Sequence, residues 1–133
     1  MKKKFQVDSD LAVVQKSSQE VLSFLKPLSL SEAALFDVRL CLEEALINAM
    51  KYGNALQKEV PVEVDVEFDP KRLSITVKDQ GPGFDPAKLA DCTEEANLYR
   101  NRGRGVYLIH QLMDEVRYNE KGNSLTMVKV LSK

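Results

Sequence analysis

Glu44 and Asn48 are a carboxylate and an amide that stand four residues apart in a stretch of helical periodicity. This spacing places both side chains on one face of a helix, one turn apart. An amide oxygen is a ligand that Mg²⁺ accepts, and a neighbouring carboxylate can take up a proton. Asp37 and Lys51 share the same polar arc, so we include Lys51 among the candidate ligand contacts. The structural alternative is a solvated strip on the surface of a helix.

Asp79 is a second carboxylate in a setting that could bind a ligand. It follows a strand pattern whose last apolar residue is Val77, and Gly81 and Gly83 let the chain turn sharply and approach a flat ligand closely. A carboxylate at this place can accept a hydrogen bond from the exocyclic amine of adenine and repels the carbonyl oxygen of guanine. The alternative is an ordinary tight surface turn.

The segment Gly103-Arg104-Gly105-Val106 stands where apolar residues at helical spacing resume. The start of a helix presents free amides and the positive end of its dipole, which favour an anion such as phosphate. Arg100 and Arg102 add charge that could meet a terminal phosphate, although a solvated basic loop is the simpler alternative. The glycines complete neither a P-loop nor a dinucleotide fingerprint. Taken together, the three segments indicate an ATP site of another kind.

Two helices are predicted in the first part of the chain. Residues 8–10 are typical of a helix start, and Pro27 ends the apolar pattern that follows them. Ser29 and Glu32 form a capping-box pair for a second helix, which runs to about Tyr52. The second helix carries two apolar stripes, which predict burial on two sides. Their members are Leu35, Val38, Leu42, Leu46 and Ala49 in the first stripe, and Phe36, Leu40 and Ile47 in the second.

An antiparallel hairpin is predicted in the middle of the chain. Residues 59–68 alternate between apolar and acidic side chains, which indicates a strand with one wet face. Asp69 and Pro70 supply a turn, and residues 73–77 repeat the alternation in a second strand.

The rest of the chain completes an α+β fold. We interpret the polar stretch 84–102 as a mobile loop or lid, and residues 106–113 as a helix. A last hairpin spans residues 116–130. This order predicts a two-layer sandwich, with a mixed, mostly antiparallel sheet and helices on one face.

Length and composition narrow the class of protein. A chain of 133 residues fits one domain, 1–133. The 19 basic and 20 acidic residues nearly balance, so the net charge does not favour binding to nucleic acid or to a membrane surface. No apolar run follows the basic residues 2–4, and Cys41 and Cys92 lack the spacing of a zinc or redox pair. We therefore expect a cytoplasmic protein with reduced thiols.

The chain resembles the GHKL ATPase superfamily and, within it, the anti-sigma factor serine/threonine kinases. Residues 44–48 are similar to the N box, residues 79–83 to the first glycine box and residues 103–106 to the second. The run Met113-Asp114-Glu115-Val116 is also typical of these kinases. The resemblance covers nearly all of the chain. It implies the Bergerat ATP-binding fold, with ATP and Mg²⁺ held between the helices and the lid.

The resemblance also implies roles for individual residues. Glu44 would be the general base, Asn48 the magnesium ligand and Asp79 the adenine contact. The pocket would be shaped by Gly83, Gly103 and Gly105. Family members phosphorylate a STAS-domain anti-anti-sigma protein and bind a sigma factor in a partner-switching pathway that regulates transcription. They often act as homodimers.

Three positions depart from the family pattern. Tyr52 stands where many relatives have histidine, Asn123 where a pocket threonine is common, and Asn101 where an arginine often precedes the second glycine box. The missing arginine leaves the terminal phosphate to a neighbouring arginine. It motivates an alternative function, a non-catalytic module whose nucleotide state decides whether it sequesters a sigma factor or a STAS protein.

Overall fold

The computed structural model describes residues 1–81 and 101–131, without the side chains of residues 101–104. The strands are β1 (Lys2–Val7), β2 (Val62–Phe68), β3 (Arg72–Lys78), β4 (Glu115–Tyr118) and β5 (Ser124–Val130). The α-helices are α1 (Val14–Phe24), α2 (Glu32–Asn48) and α3 (Asn101–Leu112). Short 3₁₀ turns cover Leu11–Val13 and Lys26–Leu28, and a π-helical turn, Ala49–Gly53, extends α2. The predicted lid lies mostly outside the described residues.

The five strands form one sheet in the order β1-β2-β3-β5-β4. Each of its four pairings is antiparallel, so within the described residues the sheet contains no parallel pair. The predicted α+β architecture with a largely antiparallel sheet is therefore confirmed. The hairpin register pairs Val66 with Ile75, and the next ladder pairs Ile75 with Met127.

Alternation along the strands separates a dry face of the sheet from a polar one. The core-facing side chains of β2, β3 and β5 are nearly fully buried: Val62, Val64, Val66, Phe68, Leu73, Ile75, Val77, Leu125 and Met127. On the opposite face, the hydroxyls of Thr76 and Thr126 form a cross-strand hydrogen bond of 2.9 Å. A period of two along each strand produces this division.

Helix α2 lies at the centre of the helical layer, where it packs against both α1 and α3. Its buried positions include Val38, Cys41, Leu42 and Leu46, which face the sheet core. The second predicted stripe is only partly buried, because Phe36 remains 54% exposed. Within the described residues no helix is both long and apolar enough to cross a bilayer.

Two predicted boundaries are wrong by a few residues. The side chain that caps α2 is Ser31, whose Oγ accepts a hydrogen bond from the Ala34 amide at 3.1 Å, whereas Ser29 adopts a left-handed conformation before the helix. Strand β2 begins at Val62 because Pro61 has no amide proton to donate to a ladder. The carbonyl of Val60 instead accepts side-chain hydrogen bonds.

The run Met113-Asp114-Glu115-Val116 connects α3 to the edge of the sheet. Met113 is buried in the core, and β4 begins at Glu115. A carboxylate oxygen of Asp114 accepts a hydrogen bond of 2.6 Å from the Val130 amide, while its own amide donates to the Val128 carbonyl. In this structure the run fixes the crossing from helix to strand.

Candidate active site

A small cavity lies between α2, α3 and the ends of β3 and β5. Its volume is about 30 Å³. The lining residues are Ala45, Asn48, Ala49, Val77, Asp79, Val106, Tyr118, Gly122, Asn123, Ser124 and Leu125. The predicted residues Asn48, Asp79 and Val106 therefore share one cavity, although they come from three different segments of the chain.

Asn48 lies on the helical wall of this cavity, and only 8% of its surface is exposed. Its amide nitrogen is buried and has no hydrogen-bond partner among the described residues. A buried amide group left without a partner costs about 1–3 kcal/mol. Asn48 is thus no solvated surface residue, and its side chain fits a place where a ligand or water completes the hydrogen bonding.

Glu44 lies one turn before Asn48 and faces helix α3 at Gly105. A Cβ atom at Gly105 would lie 2.7 Å from Glu44 Oε2 and 3.1 Å from Asn48 Nδ2. The missing side chain therefore lets α3 approach both polar groups of α2. Glu44 itself is half-buried beside the cavity, not among the residues that line it.

Asp79 lies on the opposite wall, directly after β3, and is 5% exposed. Its carboxylate accepts a hydrogen bond of 2.8 Å from the Gly81 amide, and its own amide donates to the Asn123 carbonyl at 2.9 Å. Gly81 thus closes the turn that presents Asp79, as its place in the motif predicts. Gly83 lies outside the described residues.

The second glycine segment is helical, so α3 begins before Val106, the residue at which the sequence pattern placed its start. Helix α3 already includes Asn101, so Arg102, Gly103, Arg104 and Gly105 belong to its first two turns. The amides of the first four residues of an α-helix have no partner within the helix, which is the property that lets the start of a helix bind an anion.

Lys51 falls in the π-helical turn after α2 and does not line the cavity. Its ammonium group lies 5.5 Å from the centre of the Tyr52 ring. The extra residue in a π-helical turn changes the direction of the side chains that follow. A constant angle of 100° per residue therefore misplaces Lys51 relative to Asn48.

Two asparagines shape the turn before β5: Asn123, which the sequence places where relatives have a pocket threonine, and Asn119, which sequence reasoning did not assign to the site. The Asn119 side-chain oxygen accepts hydrogen bonds from the amides of Gly122, Asn123 and Ser124 at 2.8, 3.0 and 3.2 Å. The Asn123 side chain donates to the Asp79 carbonyl at 3.3 Å. An Asn that precedes a Gly-Asn turn is a signal for such Asx-type bonding.

The Cys41 thiol lies beneath the site in α2 and is fully buried. Burial, followed by the nearby Asp37 carboxylate, raises the pKa of the Cys41 thiol to about 12. A protonated, inaccessible thiol is no nucleophile. Cys41 therefore serves as a packing residue, in agreement with the helical pattern around it.

Residues 7–129 match the family model described as the histidine kinase-like ATPase domain. The chain belongs to this family, and the resemblance drawn from the three motifs is confirmed. Among its relatives, the serine-protein kinase RsbW of Staphylococcus epidermidis is 31% identical over 105 residues, which cover 73% of this chain and 66% of the relative. Proteins of the same name from Listeria monocytogenes and Staphylococcus aureus are 28% and 30% identical, over 77% and 73% of this chain. The chain thus spans just under two thirds of the length of the first of these relatives.

The described residues fit the ligand that this family's description implies. Asn48 is a buried amide whose nitrogen has no partner among the described residues, and the absent side chain at Gly105 lets helix α3 lie close to it. Within residues 1–81 and 101–131 no cluster of three His, Cys, Asp or Glu residues could hold a metal ion. Magnesium bound with a nucleotide takes most of its ligands from waters and phosphates, so the single amide oxygen of Asn48 is a donor that suits it.

Proposed function

We propose that this chain is an ATP-dependent protein serine/threonine kinase of the anti-sigma factor type, acting on a STAS-domain anti-anti-sigma protein. The observation that supports the proposal most is the convergence of Asn48 and Asp79 on one cavity, with Glu44 one helical turn away. A metal ligand, a base-reading carboxylate and a proton acceptor are the groups that phosphoryl transfer from ATP requires.

Each of these residues has a distinct role in the proposal. Asp79 accepts the hydrogen bond of the adenine amine, and its fixed carboxylate disfavours guanine. Asn48 holds Mg²⁺ through its amide oxygen. Glu44 accepts the proton of the substrate hydroxyl at its carboxylate. Bound Mg-ATP supplies the transferable phosphoryl group, and positioning and charge neutralisation account for most of the catalysis.

The phosphate end of the site is assigned to α3. We propose that the amides of its first turn, together with Arg102 and Arg104, contact the phosphates, while Gly103, Gly105 and Val106 shape the wall beside them. Gly81 and Gly83 shape the adenine end, and Lys51 remains a proposed nucleotide contact although it does not line the cavity. The cavity of about 30 Å³ is small compared with the roughly 300–1,000 Å³ of ligand pockets. The cavity between the described residues is therefore proposed as only one part of the nucleotide site.

The proposed partners are those that the resemblance to the anti-sigma factor kinases implies. A STAS-domain protein is the proposed phosphoryl acceptor and a sigma factor the proposed second partner, in a cytoplasmic partner-switching pathway. A homodimer is the proposed assembly. The second candidate function, a nucleotide-dependent binding module without catalysis, is favoured by Asn101, which stands where relatives often carry arginine.

The proposal is tested by incubating the chain with γ-labelled ATP, Mg²⁺ and a STAS-domain protein from the same genome. We expect a labelled serine or threonine on the STAS protein. Glu44→Gln should retain Mg-ATP binding and lose transfer by at least about a hundredfold, since general-base catalysis contributes about 10²–10⁴. Asp79→Asn should lose binding, as measured by calorimetry.

Three outcomes separate the alternatives. Binding of Mg-ATP without transfer to a partner that still forms a complex would favour the binding module. Full transfer by Glu44→Gln would remove Glu44 as the base. Absence of nucleotide binding by the wild type would contradict both functions, because each depends on an occupied site.

A further inference from the structure

Asn54 is a buried polar side chain that the three motifs do not include. It follows the π-helical turn Ala49–Gly53, and only 4% of its surface is exposed. Its backbone amide donates to the Ala49 carbonyl at 2.8 Å, five residues back, and thereby closes the π-helical turn. Its backbone is thus fixed by the end of the helix that carries Glu44 and Asn48.

The side-chain amide of Asn54 is fixed at its nitrogen. This nitrogen faces three oxygen atoms: Ser9 Oγ at 3.0 Å, the Val60 carbonyl at 3.1 Å and the Pro61 carbonyl at 3.2 Å. Ser9 is itself fully buried and donates its hydroxyl to the Val60 carbonyl at 2.5 Å. Because three acceptors surround the nitrogen, the amide has only one orientation that satisfies it.

The side-chain oxygen of Asn54 therefore points at the turn that carries Asp79. It accepts a hydrogen bond of 2.8 Å from the Gln80 amide, the residue directly after Asp79. The neighbouring Gly53 lies so close to this turn that a Cβ atom there would overlap the Asp79 carboxylate. A Cβ atom at Gly81 would in turn overlap the Gly53 carbonyl. The Asp79 turn is thus packed directly against Gly53 and Asn54.

We propose that Asn54 is a positioning residue that holds the Asp79 carboxylate in place and thereby sets the preference of the site for adenine over guanine. The inference rests on the proposed nucleotide-binding function. A carboxylate discriminates between the two bases only if its oxygen is held at the exocyclic position, since a mobile carboxylate can turn away from the guanine carbonyl. Asn54 restrains that carboxylate through the adjacent peptide group without touching the ligand.

The test is calorimetric titration of the full chain with Mg-ATP and Mg-GTP, at a temperature where every variant is folded. Asn54→Ala removes the acceptor for the Gln80 amide, and we expect its ratio of ATP to GTP affinity to fall about tenfold. Asn54→Asp keeps an oxygen for that amide but places a carboxylate against two carbonyl groups. It should lose stability while it keeps the affinity ratio.

Two variants serve as controls. Gln80→Ala leaves the backbone amide intact and removes a side chain whose one described hydrogen bond is a long one, 3.5 Å, to the Pro61 carbonyl. Ser9→Ala removes one of the three acceptors around the Asn54 nitrogen and should lower stability, but the Val60 and Pro61 carbonyls still hold the amide in its orientation. We expect both to keep the affinity ratio of the wild type, so that a general loss of stability is distinguished from a loss of positioning.

A second measurement uses the wild type alone and therefore needs no folded variant. In the wild type, the Gln80 amide should exchange with solvent much more slowly than an exposed turn amide, because it is bonded to Asn54. Fast exchange at Gln80, or an unchanged affinity ratio in Asn54→Ala, would overturn the inference. If Asn54→Ala does not fold, a fall in the ratio of ATP to GTP affinity in Asn54→Asp would overturn the inference. A wild type that binds no nucleotide would instead contradict the proposed function, while the exchange rate would still report on the Asn54 bond.

Discussion

At the scale of single residues, the packing around Gly105 explains why a glycine occurs inside helix α3. Glycine costs about 0.5–1 kcal/mol relative to alanine in a helix interior. Here that cost accompanies a close approach, since a Cβ atom would lie 2.7 Å from Glu44 Oε2 and 3.1 Å from Asn48 Nδ2. Both neighbouring groups belong to side chains assigned to the proposed chemistry.

Gly105→Ala should therefore separate stability from function. We expect the free energy of unfolding to stay within about 1 kcal/mol of wild type, because the gain in helix propensity offsets a shift of the Glu44 side chain. Mg-ATP affinity and transfer should both fall, because Glu44 and Asn48 are displaced. Urea denaturation and calorimetry measure the two effects. Gln111→Ala, an exposed position on the same helix, should change neither, and equal losses in both variants would contradict the prediction.

At the scale of elements, the start of α2 shows that a sequence pattern typical of a helix cap can lie two residues before the residue that caps the helix. Ser29 and Glu32 have the spacing of a capping box, yet Ser29 has φ 49° and ends the preceding 3₁₀ turn. The helix begins two residues later, where Ser31 has extended backbone angles and its Oγ meets the Ala34 amide. Serine is a residue type that commonly caps helices, so both positions are suitable, and only the backbone conformation decides which of them forms the cap.

Ser31→Ala should lower the free energy of unfolding by about 1 kcal/mol, because the Ala34 amide loses its acceptor. The matched control is Ser29→Gly, which should be neutral or stabilising, since glycine tolerates a positive φ without strain. Urea denaturation of both variants gives the comparison. A larger loss in Ser29→Gly than in Ser31→Ala would mean that the cap is at Ser29.

At the scale of the whole molecule, Lys129 links the sheet to the helices. It follows Leu125 and Met127 on the core-facing side of β5, and 17% of its side chain is exposed. Its ammonium group lies 3.9 Å from the Asp37 carboxylate of α2 and 3.4 Å from the Leu112 carbonyl at the end of α3. A lysine on the inner face of the strand thus joins both layers at one edge of the core.

A double-mutant cycle with Lys129→Met and Asp37→Asn should give a coupling energy of up to about 1 kcal/mol, because the pair is partly shielded from water. The Arg72–Glu115 pair, in which both side chains are about half exposed at a separation of 3.6 Å, is the control. Its coupling should be below about 0.5 kcal/mol. Equal coupling energies for the two pairs would show that the partly buried position of Lys129 does not strengthen its ion pair.

The sequence by itself determined the class of the fold and identified three of the residues that line the cavity. Alternation in residues 62–68 and 72–78 is a local property of strands with one buried face, so it is visible without any knowledge of partners. The same holds for the helical periodicity of α2 and for the spacing of Glu44 and Asn48. The three motifs were sufficient to place the chain in its family, and Asn48, Asp79 and Val106 meet at one cavity as predicted.

Only the tertiary structure decided which groups touch across the chain. Lys51 falls in the π-helical turn and does not line the cavity, and no local sequence pattern predicts the extra residue of that turn. The bond from Asn54 to the Gln80 amide joins segments 26 residues apart, and the close approach of Gly105 to Glu44 joins two helices. Periodicity depends on neighbours along one element, whereas these contacts depend on how the elements pack, so a single sequence predicts the first and leaves the second to the fold.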